Sequence, residues 1–145
     1  MAPGGSENPL VGAWRLVSCE TRADDGAIDY PLGRDAVGLL IYTGDGHMSV
    51  SIARSSRGPF AAGDLLGGTG EEKARAVESY VSYCGRYERR DESVVHQVEM
   101  SLFPNWTGRD QERRVKLDGK RLTLEAPPFT IKGAEQRAYL VWERC

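Results

Sequence analysis

His96 stands two residues from Val94 and two from Val98, a spacing that puts all three side chains on one face of an extended segment. An imidazole there has two readings. It can donate a hydrogen bond to a carbonyl or move a proton near neutral pH. Alternatively it is a core histidine satisfied by Tyr83, Tyr87 or a buried water. Arg113 alternates with Val115 and Leu117, so it too points toward an interior. A buried guanidinium needs a carboxylate or a bound anion. Glu20, which shares the parity of Trp14 and Leu16, is the candidate partner; the alternative is an arginine at a rim that reaches solvent by its long stem. A carboxylate, enolate or phenolate is the kind of group Arg113 would hold. His96, Arg113 and Tyr83 are therefore the candidates for chemistry.

Around them the same parity gathers residues suited to an otherwise apolar guest. Tyr42, Tyr83 and Tyr87 offer hydroxyls on apolar bodies. Met48, Val50 and Val98 supply apolar wall, and Met48 serves equally as core filler. Phe103 and Trp106 sit in an irregular aromatic stretch that either caps a pocket or packs on the core. Trp14 reads as structural, and His47 as an outward residue beside a turn.

Other chemistries find no support. With only His47 and His96, neither a three-histidine zinc site nor a His-x-x-x-His pair exists. Residues 63–70 are glycine-rich but lack the Gly-Lys-Ser/Thr ending of a phosphate loop. No Gly-x-Ser-x-Gly elbow occurs. Cys84 has the opposite parity to Tyr83, which disfavours a Cys–His dyad with His96. No cofactor or metal is implied. A net charge of −2 gives no basic surplus for nucleic acid. Cys19, Cys84 and Cys145 make an odd, widely spaced set, a poor disulfide framework and a better fit to reduced thiols. Residues 1–9 hold no apolar core of a secretory signal, and no run approaches a membrane span, so a cytoplasmic protein with no membrane partner is expected. The sequon Asn105-Trp106-Thr107 is then coincidental.

The elements that must position these residues are mostly strands. Seventeen glycines and seven prolines punctuate short apolar runs. Residues 12–22 alternate, with Trp14, Leu16 and Ser18 on one face. Residues 37–43 and 47–54 flank Gly44-Asp45-Gly46. A bulged three-residue turn pairs Tyr42 with Met48, and a two-residue loop would instead set Ile41 beside Met48. Residues 55–68 form a Gly/Pro/Ser loop. A helix starts after Thr69, which forms a capping box with Glu72, and Glu71 pairs with Arg75. Ala74, Val77, Val81 and Cys84 form the stripe expected to pack inward. Tyr83, Gly85 and Tyr87 then share a strand face, as do Val94, His96, Val98 and Met100. A hairpin over Asp118-Gly119 pairs Val115 with Leu122 and Arg113 with Leu124. Residues 137–144 form the last strand. About eight strands at this spacing suit an all-antiparallel barrel, whose interior is side-chain-filled or holds one small ligand. One domain is expected over residues 9–145, with a flexible tail over 1–8.

Gly12-Ala13-Trp14 resembles the Gly-x-Trp opening of lipocalins, and Arg144 resembles the arginine that crosses that tryptophan. More widely, the chain resembles the bacterial lipocalin-like domain proteins. The resemblance is carried in order by residues 8–16, 44–50, 83–87, 101–106 and 140–144, and spans Asn8 to the end. It implies an all-β fold, a small cytoplasmic eight-stranded antiparallel lipocalin-like barrel with one short lid helix. Some proteins with such barrels act in natural-product biosynthesis as cofactor-free cyclases or isomerases. The absence of a signal peptide and of a clear cysteine pair departs from secreted lipocalins. Two functions compete. One is binding of a small, largely apolar metabolite by a monomer or homodimer. The other is cyclisation or isomerisation of a polyketide-like substrate in the same pocket. An interaction module with a filled interior is a third reading, which the inward polar set disfavours.

Overall fold

The computed structural model describes residues 8–145. Apart from Asn8, the expected tail lies outside the described residues. Ten strands follow in chain order: β1 (Gly12–Ala23), β2 (Ile28–Asp29), β3 (Val37–Tyr42), β4 (His47–Ala53), β5 (Tyr80–Arg90), β6 (Ser93–Ser101), β7 (Asp110–Asp118), β8 (Arg121–Glu125), β9 (Phe129–Ile131) and β10 (Ala134–Arg144). One helix, α1 (Gly70–Glu78), lies between β4 and β5. Eight strands close in the order β1-β3-β4-β5-β6-β7-β8-β10, and β10 returns to β1; β2 and β9 extend the two ends. All pairings are antiparallel, so every unit is a hairpin or meander that the turn chemistry can specify. Among the described residues, no helix is long and apolar enough to cross a membrane.

The hairpin at Gly44-Asp45-Gly46 adopts the bulged register. Tyr42 pairs with Met48, Thr43 N–H donates to the His47 carbonyl, and Gly46 takes φ 94° at the turn's left-handed position. At the β7–β8 hairpin the expected register shifts by two residues. Leu117 pairs with Leu122 and Val115 with Leu124, so the loop residues are Gly119 and Lys120. Gly119 at φ 62° occupies the first central position, where a type II′ turn requires glycine. A slip of two preserves which side chains face inward, so Arg113 and Val115 keep their parity.

Two bulges do change parity. In β1 the register with β10 shifts between Leu16 and Ser18, so Cys19 and Thr21 turn inward while Glu20 turns out. Glu20 pairs with Arg22 at 2.7 Å on the surface, and the expected Glu20–Arg113 pair does not form. Opposite β5, the register shifts between Cys84 and Gly85, which leaves Met100 65% exposed rather than inside with Val94, His96 and Val98.

The helix also differs from expectation. Its capping box is formed: Thr69 Oγ1 accepts from Glu72 N–H at 3.1 Å, and Glu72 accepts from Thr69 N–H at 2.9 Å. Glu71 and Arg75 pair at 3.1 Å. Yet Ser79 ends the helix, β5 begins at Tyr80, and Val77 stays 55% exposed. The expected stripe breaks because Val81 and Cys84 already belong to a strand. The helix is held by polar ties instead. Arg57 donates to the Ala76 carbonyl (3.1 Å) and to Ser79 Oγ (2.9 Å), and Ala61 N–H donates to Glu72 (3.0 Å).

One end of the barrel is sealed. Leu10 and Trp14 are fully buried, and Trp14 Nε1–H donates to the Leu10 carbonyl at 2.9 Å. Arg144 lies 4.2 Å over the Trp14 ring and donates to the Val11 and Pro9 carbonyls, as the family resemblance implies. A Cβ on Gly12 would sit 2.7 Å from that guanidinium, and φ there is 130°, so glycine is required twice over.

Candidate functional site

From the opposite end a cavity of about 1270 Å³ runs into the barrel. Leu40, Val50, Ile52, Leu124, Leu140 and Trp142 make much of its apolar wall. Its rim is built from Arg57 and Phe60 of the 55–68 loop, Arg75 and Ala76 of α1, and Pro127 and Phe129 before and in β9.

The polar wall comes from the adjacent strands β5, β6 and β7, with Tyr42 of β3 behind it. His96 on β6 is 2% exposed. Its Nδ1 lies 2.6 Å from Tyr83 Oη on β5, and its Nε2 lies 2.7 Å from Tyr42 Oη on β3. A neutral imidazole has one N–H and one bare nitrogen, so one tyrosine accepts from the ring while the other donates to it. Burial disfavours the charged ring, and the Arg113 guanidinium acts the same way. Together they pull the His96 pKa from 6.5 down to about 3. Burial likewise pushes both tyrosines above their ordinary value, with Arg113 opposing the rise at each. The triad is thus neutral at physiological pH. The expected core satisfaction of His96 is realised with Tyr83 and Tyr42; Tyr87 instead donates to the Thr43 carbonyl at 2.7 Å and accepts from Asn8 at 3.0 Å.

Arg113 lines the cavity from β7. It donates to Gln111 Oε1 at 3.1 Å and to the Glu112 carbonyl at 3.0 Å. Among the described residues no carboxylate pairs with it. Its charge is therefore available to whatever enters.

Of the residues singled out in the sequence, Val50, Tyr83, His96, Trp106 and Arg113 lie on the cavity wall. Tyr42, Met48, Tyr87 and Val98 are buried in the core cluster but do not line the cavity. Tyr42 reaches it only through His96. Phe103 is half exposed and stands edge-on to Trp106 at 5.3 Å, while Trp106 stands edge-on to Tyr83 at 5.8 Å. The 104–106 turn thus bears on Tyr83 through Trp106, and Phe103 supports it from outside.

Sequence reasoning missed Thr21, Gln111 and Trp142 on the wall and the whole rim. Gln111 shares the parity of Arg113 and was findable. Trp142 was findable from its alternation with Leu140 and Arg144 on the last strand, and Thr21 was hidden by the β1 bulge. All three cysteines are free; Cys19 lines the cavity, and burial, with the nearby Glu20 charge, pushes its thiol up to about 11, which keeps it protonated at neutral pH.

A closed antiparallel barrel, sealed by a tryptophan–arginine clamp at one end and open to a deep apolar cavity at the other, is a lipocalin-like architecture. The chain belongs to the lipocalin-like domain family, whose sequence profile matches residues 11–145. It is 38% identical over 106 residues to the 4'-hydroxy-3'-methoxypropiophenone carrier protein ppsC of Aspergillus oryzae, a match covering 67% of this chain and 96% of that one. It also aligns with the crystal structure of an uncharacterized protein from Bacteroides eggerthii at 15% identity and a TM-score of 0.46, covering 94% of this chain and 99% of that chain.

Proposed function

We propose that the protein binds a small, largely apolar metabolite inside the barrel and acts as a carrier for it. The observation that carries this reading is the cavity itself: about 1270 Å³ within a closed barrel, apolar except for a few convergent polar groups. A filled interaction module would have no such space. The Aspergillus relative is named as a carrier of a hydroxylated aromatic ketone, which supports an aromatic ligand with few polar groups here.

His96 weighs against the cyclase or isomerase reading. A general base needs a free nitrogen and a pKa near the working pH. Both nitrogens of His96 are engaged by tyrosines, and its pKa is near 3. In this role His96 is a positioning residue that fixes the Tyr83 hydroxyl at the cavity wall.

The test is saturable uptake of an apolar reporter dye, anilinonaphthalene sulfonate, and its displacement by aromatic ketones. Val50 is buried on β4 with its side chain on the cavity wall. Val50→Trp is expected to fill part of the cavity and weaken dye binding at least tenfold, while thermal stability changes little because the added ring has space to occupy. Equal dye binding by Val50→Trp and the native protein would place the dye elsewhere and remove the support for a ligand-holding barrel.

A further inference from the structure

The hydrogen-bond chain behind the cavity wall has a direction. Tyr42 is 1% exposed, and among the described residues its hydroxyl meets one partner, His96 Nε2, at 2.7 Å. A buried hydroxyl hydrogen needs an acceptor, so Tyr42 donates and Nε2 is the bare nitrogen. The hydrogen of the neutral ring then sits on Nδ1, which donates to Tyr83 Oη at 2.6 Å. Tyr83 thereby receives a bond and keeps its own hydroxyl hydrogen. Among the described residues no acceptor takes that hydrogen, and Tyr83 lines the cavity.

Arg113, whose charge reaches Tyr83 and His96, has the same character, because a guanidinium donates and cannot accept. Gln111 turns its carbonyl oxygen to Arg113, which leaves its amide hydrogens as what it can offer. Tyr83, Arg113 and Gln111 thus present donors and one full positive charge. The rest of the cavity repeats the sign. Arg54, Arg57, Arg75, Arg113 and Lys132 line it and its mouth against two carboxylates, Glu72 and Glu78, in a chain whose net charge is −2. Glu72 is already engaged by the Thr69 and Ala61 N–H groups. Arg75 pairs with Glu71, but Arg113 meets no carboxylate among the described residues. A cleft of one sign with low-dielectric walls draws in ligands of the opposite sign.

Resting on the binding function proposed above, we propose that the ligand is an organic acid: an apolar body whose carboxylate lies against Arg113 and accepts the Tyr83 hydroxyl hydrogen. A carboxylate is charged and accepts only, which is what a wall of donors around a cation requires. An alcohol or amide brings a donor that finds no acceptor there, and an amine adds a charge of the wrong sign. Tyr42 and His96 act from behind. Each bond of the chain points its donor toward the carboxylate, so each polarises the next. His96 does this as a neutral ring, and the fixed tautomer is its contribution.

Three probes share one apolar body and differ in the polar end: naphthylacetate, its methyl ester and naphthylethylammonium. Calorimetric titration is expected to show the acid binding at least about tenfold more tightly than the ester, with the ammonium weakest. Arg113→Leu is expected to bring acid and ester within about threefold of each other, mainly by weakening the acid. Should that variant fold poorly, the native protein still answers by nitrogen NMR of the imidazole. His96 Nδ1 should carry the hydrogen and Nε2 should be bare, both in the free protein and with naphthylacetate bound. A hydrogen on Nε2 instead, or an Arg113→Leu protein that keeps the full preference for the acid, would overturn the proposal. Native protein that takes up the dye but binds acid and ester alike would sink the organic acid and leave the carrier reading standing. Failure of the dye to bind as well would remove both.

Discussion

A Gly85→Ala protein is expected to lose at least about 3 kcal/mol of stability and to melt roughly 6–12 °C lower than the native chain. Gly85 lies where β5 crosses the β6 bulge. A Cβ built there would sit 2.0 Å from the Gln97 carbonyl oxygen and 2.9 Å from the Glu99 nitrogen. Both are backbone atoms, so no rotamer change relieves the clash; the strands must separate. Separation acts on the site as well, because Tyr83 and Tyr87 flank Gly85 and the Tyr83–His96 bond bridges the same two strands. Circular dichroism melts would check this, with Gly44→Ala as control, since nothing lies within 4 Å of a Cβ at that position. Melting temperatures for the two variants within about 2 °C of each other would show that the crossing is looser than its geometry implies.

The stability of the protein is expected to fall by about 2 kcal/mol between pH 7 and pH 5 because of His96 alone. Unfolded, this histidine takes a proton near its ordinary pKa of 6.5; folded, it resists until about 3. The proton therefore favours the unfolded chain throughout that window. The contribution is complete above about pH 6.5 and is lost at about 1.4 kcal/mol per pH unit as the pH falls toward 3. Urea titrations at pH 7, 6 and 5 would measure it. His96→Gln keeps a donor and an acceptor between the tyrosines but cannot take the proton. Its absolute stability at pH 7 is expected to be lower, and its slope over this range flatter. Parallel slopes for the two proteins would mean that His96 protonates in the folded state with little penalty. The exposed His47 is common to both and cancels.

The barrel was legible in the sequence because turn chemistry and alternation agreed. Gly44-Asp45-Gly46 set one hairpin register, and the inward parity of Tyr83, Val94, His96 and Arg113 followed from spacing alone. The misreadings have physical sources. A bulge leaves no mark on hydrophobic alternation when polar and small residues surround it, so Ser18 and Glu20 looked like a continuation of Leu16. Met100 failed for the same reason beyond Glu99. The helix stripe failed because Ser79 stops α1 before the apolar positions that seemed to complete it. The rim was illegible because the 55–68 loop is positioned by side-chain ties such as Arg57 to the Ala76 carbonyl, and 127–132 by the short β9–β10 pairing, and no periodicity encodes either. The engagement of His96 by two tyrosines, which decides its chemistry, depends on β3 and β5 approaching β6 inside a closed ring. Local spacing supplied the candidates but not that convergence.

The kink in β1 gives that strand one residue more than β10 sets opposite it, since Leu16 and Ser18 face the consecutive residues Trp142 and Val141. Val17 is itself partly exposed, so many side chains should serve in its place. Deleting it would restore unbroken alternation with Leu16, Cys19 and Thr21 still inward and Glu20 still outward, in step with β10. In natural variants or library selections, position 17 should accept both substitution and loss, while the cavity wall that follows it stays in place.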